Sequence, residues 1–150
     1  MKLIIPPPIQ GIIVAIVMWA LARWTPGLAF DFPGRAALVW AFGGVGVAME
    51  IIAGLMFLRA KTTVNPPKPE NARTLVTTGL YRISRNPMYL ALLIVLIAWG
   101  LHLANPLAAG PVIAWVFYIT QFQIKPEERA LREKFGGDYD AYCNRVRRWI

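Results

Sequence analysis

Histidine and cysteine are nearly absent, with one of each, His102 and Cys143, in 150 residues. A single cysteine excludes an internal disulfide, and neither residue has neighbours at metal-ligand spacing, so zinc sites and dithiol redox chemistry drop out as well. Charge is scarce too: charged residues make up 16% of the sequence, against roughly a quarter in soluble domains. With 57% hydrophobic residues and a mean hydropathy of +0.47, the composition excludes an ordinary soluble domain. The acidic sign is the rarer, 8 Asp and Glu against 16 Lys and Arg, giving a net charge of +8. In so apolar a chain that excess points to anionic lipid headgroups before nucleic acid. No nucleic-acid motif or aromatic-interleaved basic module is present.

What is abundant is apolar sequence, gathered into four blocks with no repeat between them. Leu3 to Ala22 opens with Pro6, Pro7 and Pro8; Ala36 to Leu58 carries one charge, Glu50; Met88 to Ala104 and Leu107 to Ile124 carry none. At about 1.5 Å per helical residue, runs of roughly 17 to 23 residues reach about 26 to 35 Å, the hydrocarbon thickness of a bilayer. The prediction is an all-α, single-domain integral membrane bundle over residues 1–150, with four transmembrane helices at about 3–24, 36–58, 88–104 and 107–124. Lys2, the first apolar run and Ala20-Leu21-Ala22 also imitate a signal peptide and its cleavage site. The block is read as a retained helix whose prolines stand before or within its first turn, where backbone N–H groups have no helical partner.

The cations set the expected orientation. Lys2, six cations from Arg59 to Arg85 and seven from Lys125 to Arg148 fall on one side, and only Arg23 and Arg35 on the other. Short loops rich in Lys and Arg stay cytoplasmic, so both termini, the loop 59–87 and the tail 125–150 are predicted inside. Asn105-Pro106 breaks the chain so tightly that the third and fourth helices should form an antiparallel hairpin.

The loop begins with Pro66, Pro67 and Pro69 in a stretch that cannot be helical. Asn86-Pro87 reads as the start of the third helix, Asn capping it and Pro at its first position, with Arg85 as a headgroup anchor. In the tail, Pro126, Glu127 and Glu128 read as a helix start whose acids complement the dipole. Gly136-Gly137 should stop that helix, and Asp138 should cap another in which Tyr139, Tyr142, Val146 and Trp149 recur at helical spacing. Arg145, Arg147 and Arg148 beside that stripe suggest amphipathic helices lying on the membrane surface. Cys143 reads as a small packing residue on the tail helix.

Taken together, these pieces resemble the isoprenylcysteine carboxyl methyltransferase and phospholipid methyltransferase family. Its signature, Arg-His-Pro-x-Tyr-x-Gly, then a hydrophobic hairpin, then a Glu-Glu pair, appears as Arg85-Asn86-Pro87-Met88-Tyr89-Leu90-Ala91, the hairpin, and Glu127-Glu128. Gly79-Leu80-Tyr81-Arg82 upstream, and Phe135-Gly136, Tyr139, Tyr142 and Arg148-Trp149 downstream, also look like bacterial members. The resemblance covers residues 66–150. Asn86 replaces the signature histidine and Ala91 the glycine. Asn keeps hydrogen-bonding capacity but cannot be a general base near neutral pH.

The resemblance implies S-adenosylmethionine as methyl donor, to a lipophilic or membrane-delivered acceptor (carboxylate, thiol or amine). Its carboxylate, ammonium and adenine call for a cation or helix-start amides, an acid, and an aromatic slot. Arg85 and the amides after Pro87 are expected to hold the carboxylate, Glu127 or Glu128 the ammonium or ribose hydroxyls, and Tyr89, Leu131 and Tyr139 the ring. Tyr81, Asn86 and Tyr142 complete the cofactor set by their places in the motifs. Glu50, at hydrocarbon depth and costly unless paired, hydrated or protonated, marks either a site or a packing contact among Gly43, Gly44, Gly46 and Gly54. With Arg85 and Asn86 it is a candidate catalytic residue. The same Glu50 leaves open a small four-helix proton-coupled exporter of lipophilic cations. His102, near the outer helix end, reads as an interfacial residue.

Overall fold

The computed structural model describes residues 5–59 and 75–150. The expected extended run at Pro66, Pro67 and Pro69, and the first residues of the first apolar block, lie outside them. Among the described residues six α-helices occur: α1 (Pro7–Trp24), α2 (Arg35–Arg59), α3 (Pro87–Leu103), α4 (Ala109–Ile119), α5 (Lys125–Phe135) and α6 (Gly137–Arg145).

Pro6 stands at the N-cap of α1 and Pro7 and Pro8 in its first turn, where a missing N–H costs nothing. α3 ends at Ala104, left-handed at φ 50°, and Asn105 Oδ1 accepts the Leu107 amide at 3.0 Å to start the next turn. That turn is tied to the α1–α2 connection. Asn105 Nδ2 donates to Thr25 O and Oγ1 at 2.9 and 3.0 Å, the Phe30 amide to Ala104 O at 2.9 Å, and Arg35 Nη1 to His102 O at 3.0 Å. Both helical hairpins therefore close at the same end. His102 is exposed there, its ring stacked on Trp99 at 5.2 Å.

The chain does not break between the fourth apolar block and the tail. A 3-10 turn (Pro106–Ala108), α4, a π-helical turn (Thr120–Ile124) and α5 form one rod, Pro106–Phe135. Pro126, expected at a helix start, sits instead within the rod. Its ring cannot donate to Phe122 O and crowds it, and the wider turn immediately upstream, closed by the Lys125 amide on Thr120 O, absorbs the misfit. Gly136, at φ 50°, ends α5. α6 is capped by Gly136, not by Asp138, which lies in its first turn.

α3 is the centre of the bundle. It packs most extensively on α2 and also meets α1 and α4, while α1 meets α4. The α2–α3 approach needs Gly46, since a Cβ there would lie 2.7 Å from Val95 Cγ2 and 3.1 Å from Ala91 O. Met18, Leu96, Val112, Trp115, Ile119 and Ile124 fill the interior. The outer faces are apolar as well, with Trp40 80% and Phe117 72% exposed, an inside-out pattern that suits lipid. Pro7–Trp24, Arg35–Met56 and Pro106–Phe135 are each long and apolar enough to cross a membrane, and α3 adds a shorter apolar helix of 17 residues.

Candidate functional site

At the end of the bundle opposite the two closed hairpins, the chain enters α3 through a 3-10 turn, Gly79–Arg82. Gly79 is left-handed at φ 57°, a conformation that favours glycine, and it lies against the flexible end of Met56 on α2. Tyr81, on that turn, meets Tyr139, Tyr142 and Val146 of the tail in a buried cluster, with Met56, Leu131, Phe135 and Cys143 around it. The Tyr142 hydroxyl donates to Tyr81 O at 2.7 Å. The stripe expected to lie on the membrane surface is thus spent on the protein's own interior. Trp149 leaves it, because the chain turns extended at Val146, and packs against the main core.

The C-terminal residues 146–150, extended at Val146, run beside the approach to α3 as a strap. The Arg85 amide donates to Arg147 O at 3.0 Å, Ser84 Oγ to Arg148 O at 3.3 Å and Asn86 Nδ2 to the same oxygen at 3.0 Å. Asn86 does occupy the N-cap position, but its side chain makes no capping bond. It ties down the strap instead, a correction to its reading as a cap.

The strap carries Arg148 to Glu128, which it grips with two bonds of 3.0 and 2.7 Å. Arg85 Nη2 approaches the same carboxylate at 3.3 Å, and Arg85 Nη1 donates to Cys143 Sγ. Glu128 and Arg85 are 13% and 14% exposed, so this charge-assisted pair is shielded from water, whereas Arg148 is 34% exposed. Arg85 Nε is buried with no partner among the described residues. One rung along, the Tyr89 hydroxyl donates to Glu127 Oε1 at 2.9 Å, and among the described residues no cation pairs with Glu127. Arg85 is therefore an internal partner of the tail and not a headgroup anchor.

Burial raises the Tyr142 phenol to about 12, against the lowering effect of Arg85, and pushes Tyr81 and Tyr139 up as well. These hydroxyls stay protonated near neutral pH and cannot act as bases there, and that of Tyr142 serves as a donor. The Glu128 bonds hold the Arg148 guanidinium above its ordinary value.

The fold brings together Tyr81, Arg85, Asn86, Tyr89, Glu127, Glu128, Leu131, Tyr139 and Tyr142, with Pro87 buried at the first position of α3. The three expected ring-enclosing residues divide between two adjoining clusters, Leu131 and Tyr139 in one and Tyr89 in the other. Glu50, half-buried on α2, leaves Oε2 without a hydrogen-bond partner among the described residues. Sequence reasoning missed Ser84, and it gave Arg148 to the membrane. It also passed over Gln10 and Gln123, polar residues in apolar runs, both now buried. Their isolation was the available signal.

The pattern that defines the phospholipid methyltransferase family matches residues 34–138. A "Probable protein-S-isoprenylcysteine O-methyltransferase" of Oryza sativa is 31% identical over 71% of this chain and 60% of its own length. "Protein-S-isoprenylcysteine O-methyltransferase B" of Arabidopsis thaliana is 31% identical over 77% of this chain and 61% of its own. An "Uncharacterized protein" of Haemophilus influenzae is 51% identical over 63 residues, 42% of this chain and all of its own. The chain thus spans about three fifths of the plant relatives it matches. No solved structure matches. With its signature residues drawn to one end of a helical bundle and a family match over most of its length, the chain belongs to the phospholipid methyltransferase family.

Proposed function

We propose that this protein transfers a methyl group from S-adenosylmethionine to a lipophilic or membrane-delivered acceptor at the cytoplasmic face of a membrane. The observation that carries the reading is the meeting of the two motif groups, where Arg85 and Tyr89 of one bind Glu128 and Glu127 of the other. The bound sulfonium supplies an activated methyl group, which leaves the protein the task of holding an acceptor in line with the bond that breaks.

The residues fit such a ligand. Arg85 has a buried Nε still to satisfy. The amides of Met88 and Tyr89 precede the first helical bond of α3, Leu90 N to Asn86 O at 3.0 Å, so they and the helix dipole suit a carboxylate. Glu128 already answers two guanidiniums. Glu127 answers none among the described residues, which makes it the better partner for an ammonium. Leu131, Tyr139 and Tyr89 frame the adenine, Tyr81 and Tyr142 support that wall, and Glu50 faces the acceptor from α2. The plant relatives' names favour a lipidated carboxylate among the possible acceptors, and a carboxylate, ionised near neutral pH, needs no base at Asn86. The reading includes four membrane crossings with both termini cytoplasmic. The exporter alternative draws no support from the family match.

Calorimetry with S-adenosylhomocysteine tests this directly. Micromolar binding is expected, weakened at least about tenfold by Arg85→Ala, a loss equal to about 1.4 kcal/mol. No heat and no thermal shift with excess ligand would overturn the proposal.

A further inference from the structure

Gln10 of α1 and Gln123 of the π turn are 5% and 2% exposed, and their amides meet deep in the bundle. Trp115 Nε1 donates to Gln10 Oε1 at 3.1 Å. Gln10 Nε2 donates to Gln123 Oε1 at 2.8 Å and to Ile5 O at 2.7 Å. Gln123 Nε2 then faces the Tyr89 hydroxyl without closing a full hydrogen bond on it, and that hydroxyl donates to Glu127 Oε1 at 2.9 Å.

The direction of this chain is not free. An indole N–H can only donate, so Gln10 must offer it oxygen. Both amide hydrogens of Gln10 then serve the Ile5 carbonyl and Gln123 Oε1, and Gln123 is left with nitrogen toward Tyr89. Rotating either amide would set donor against donor or acceptor against acceptor in a buried place. Trp115 therefore fixes the sense of both glutamine amides and leaves Gln123 Nε2 turned toward the Tyr89 hydroxyl, which itself donates to Glu127. The wide turn Thr120–Ile124 lies just before Glu127 and supplies the Gln123 link itself, a placement in keeping with π turns at functional sites.

We infer that the chain Trp115, Gln10, Gln123, Tyr89 aims the Glu127 carboxylate, making Gln123 a positioning residue for the cofactor site. The inference rests on the methyltransferase reading for its functional consequence, and for its existence on three hydrogen bonds and the approach of the buried Gln123 Nε2 to the Tyr89 hydroxyl between them.

The test is a double-mutant cycle in the full-length protein in detergent, with S-adenosylhomocysteine affinity and melting temperature both measured. Gln123→Leu, close in volume, is expected to weaken binding about tenfold, and Tyr89→Phe similarly; the double variant should lose no more than about twofold beyond either, because both cut one chain. Trp115→Phe, which keeps a ring but frees Gln10 to rotate, should cost about threefold. Losses that multiply, or a Gln123→Leu protein that melts earlier yet binds within twofold of the parent, would overturn the inference. If the parent protein binds no S-adenosylhomocysteine, the cofactor reading falls and the cycle is judged on melting temperature alone. There, non-additive shifts for Gln123→Leu and Tyr89→Phe sustain the chain and additive ones refute it.

Discussion

Asn86 illustrates how one side chain can hold a position for a reason different from the one its position suggests. At a helix start, Asn is a favoured cap, and replacing a cap costs about 1 kcal/mol. Here the amide nitrogen donates to Arg148 O at 3.0 Å, and no side-chain cap bond forms. The two roles predict opposite outcomes for Asn86→Asp. Asp is an equally good cap, yet it has no hydrogen to give and would face a carbonyl oxygen with a second acceptor. We expect Asn86→Asp to lower the melting temperature and to weaken S-adenosylhomocysteine binding about as much as Asn86→Ala does, several-fold in each case, with Asn86→His within a few-fold of the parent. A melting curve and affinity for Asn86→Asp equal to those of the parent would return the residue to a capping role. The neighbouring acids divide their work in the same manner: Glu128 is committed to Arg85 and Arg148, and Glu127 to Tyr89 alone among the described residues.

The C-terminal strap is the element on which the candidate site most depends. Its carbonyls accept from the Arg85 amide, Ser84 and Asn86, and its Arg148 completes the grip on Glu128. Arg148→Ala leaves Glu128 with Arg85 as its remaining cation. Because Arg148 is 34% exposed, solvent screening reduces what that loss costs the fold, so binding should suffer more than stability. A fall of about tenfold in S-adenosylhomocysteine affinity, with a melting temperature lowered by a few degrees, is expected. Arg148→Lys should recover only part of the affinity, since an ammonium cannot reproduce the two-pronged contact.

Of this element only Arg148-Trp149, as part of the family pattern, was legible in the sequence, and its inward course was not. Arg145, Arg147 and Arg148 beside an apolar stripe have the composition of a surface-lying helix, and only the extended turn at Val146 sends Arg148 inward and Arg147 outward. The π turn was equally hidden, because Pro126 before two acids looks the same whether it starts a helix or bends one. What could be read were features set by local chemistry: the proline-tolerant start of α1, the glycine that ends α5, and the Asn105-Pro106 break. Glu50 was legible as an anomaly, although its partners depend on which helix faces it.

At the scale of the whole molecule, the two ends of the bundle differ in kind, and that difference carries the topology. The end bearing Thr25, Asp31, Arg35, His102 and Asn105 is closed by short connections hydrogen-bonded to each other. The opposite end gathers the motif residues, the strap and, among the described residues, Arg82, Arg85 and the seven cations from Lys125 to Arg148. The proposed orientation follows from the sequence, in which fourteen of sixteen cations fall on one side: such an excess would hold that side in the cytoplasm during insertion, and the closed end, with so few groups to translocate, would then cross at little cost. In a Cys143→Ser background, where the hydroxyl can still accept from Arg85, Lys68→Cys and Glu133→Cys should react with a membrane-impermeant maleimide only after the cytoplasmic face is exposed. Gly27→Cys, in the short α1–α2 connection where a side chain meets nothing, should react in intact cells. Labelling of Glu133→Cys from outside would place the strap and both acids on the far side of the membrane from the cell's S-adenosylmethionine, and the proposed reaction could not proceed there. Labelling of Gly27→Cys from inside, with Glu133→Cys also inside, would mean that the first hairpin fails to span, and the four-crossing arrangement would have to be replaced by one in which α1 and α2 re-enter from the cytoplasmic side.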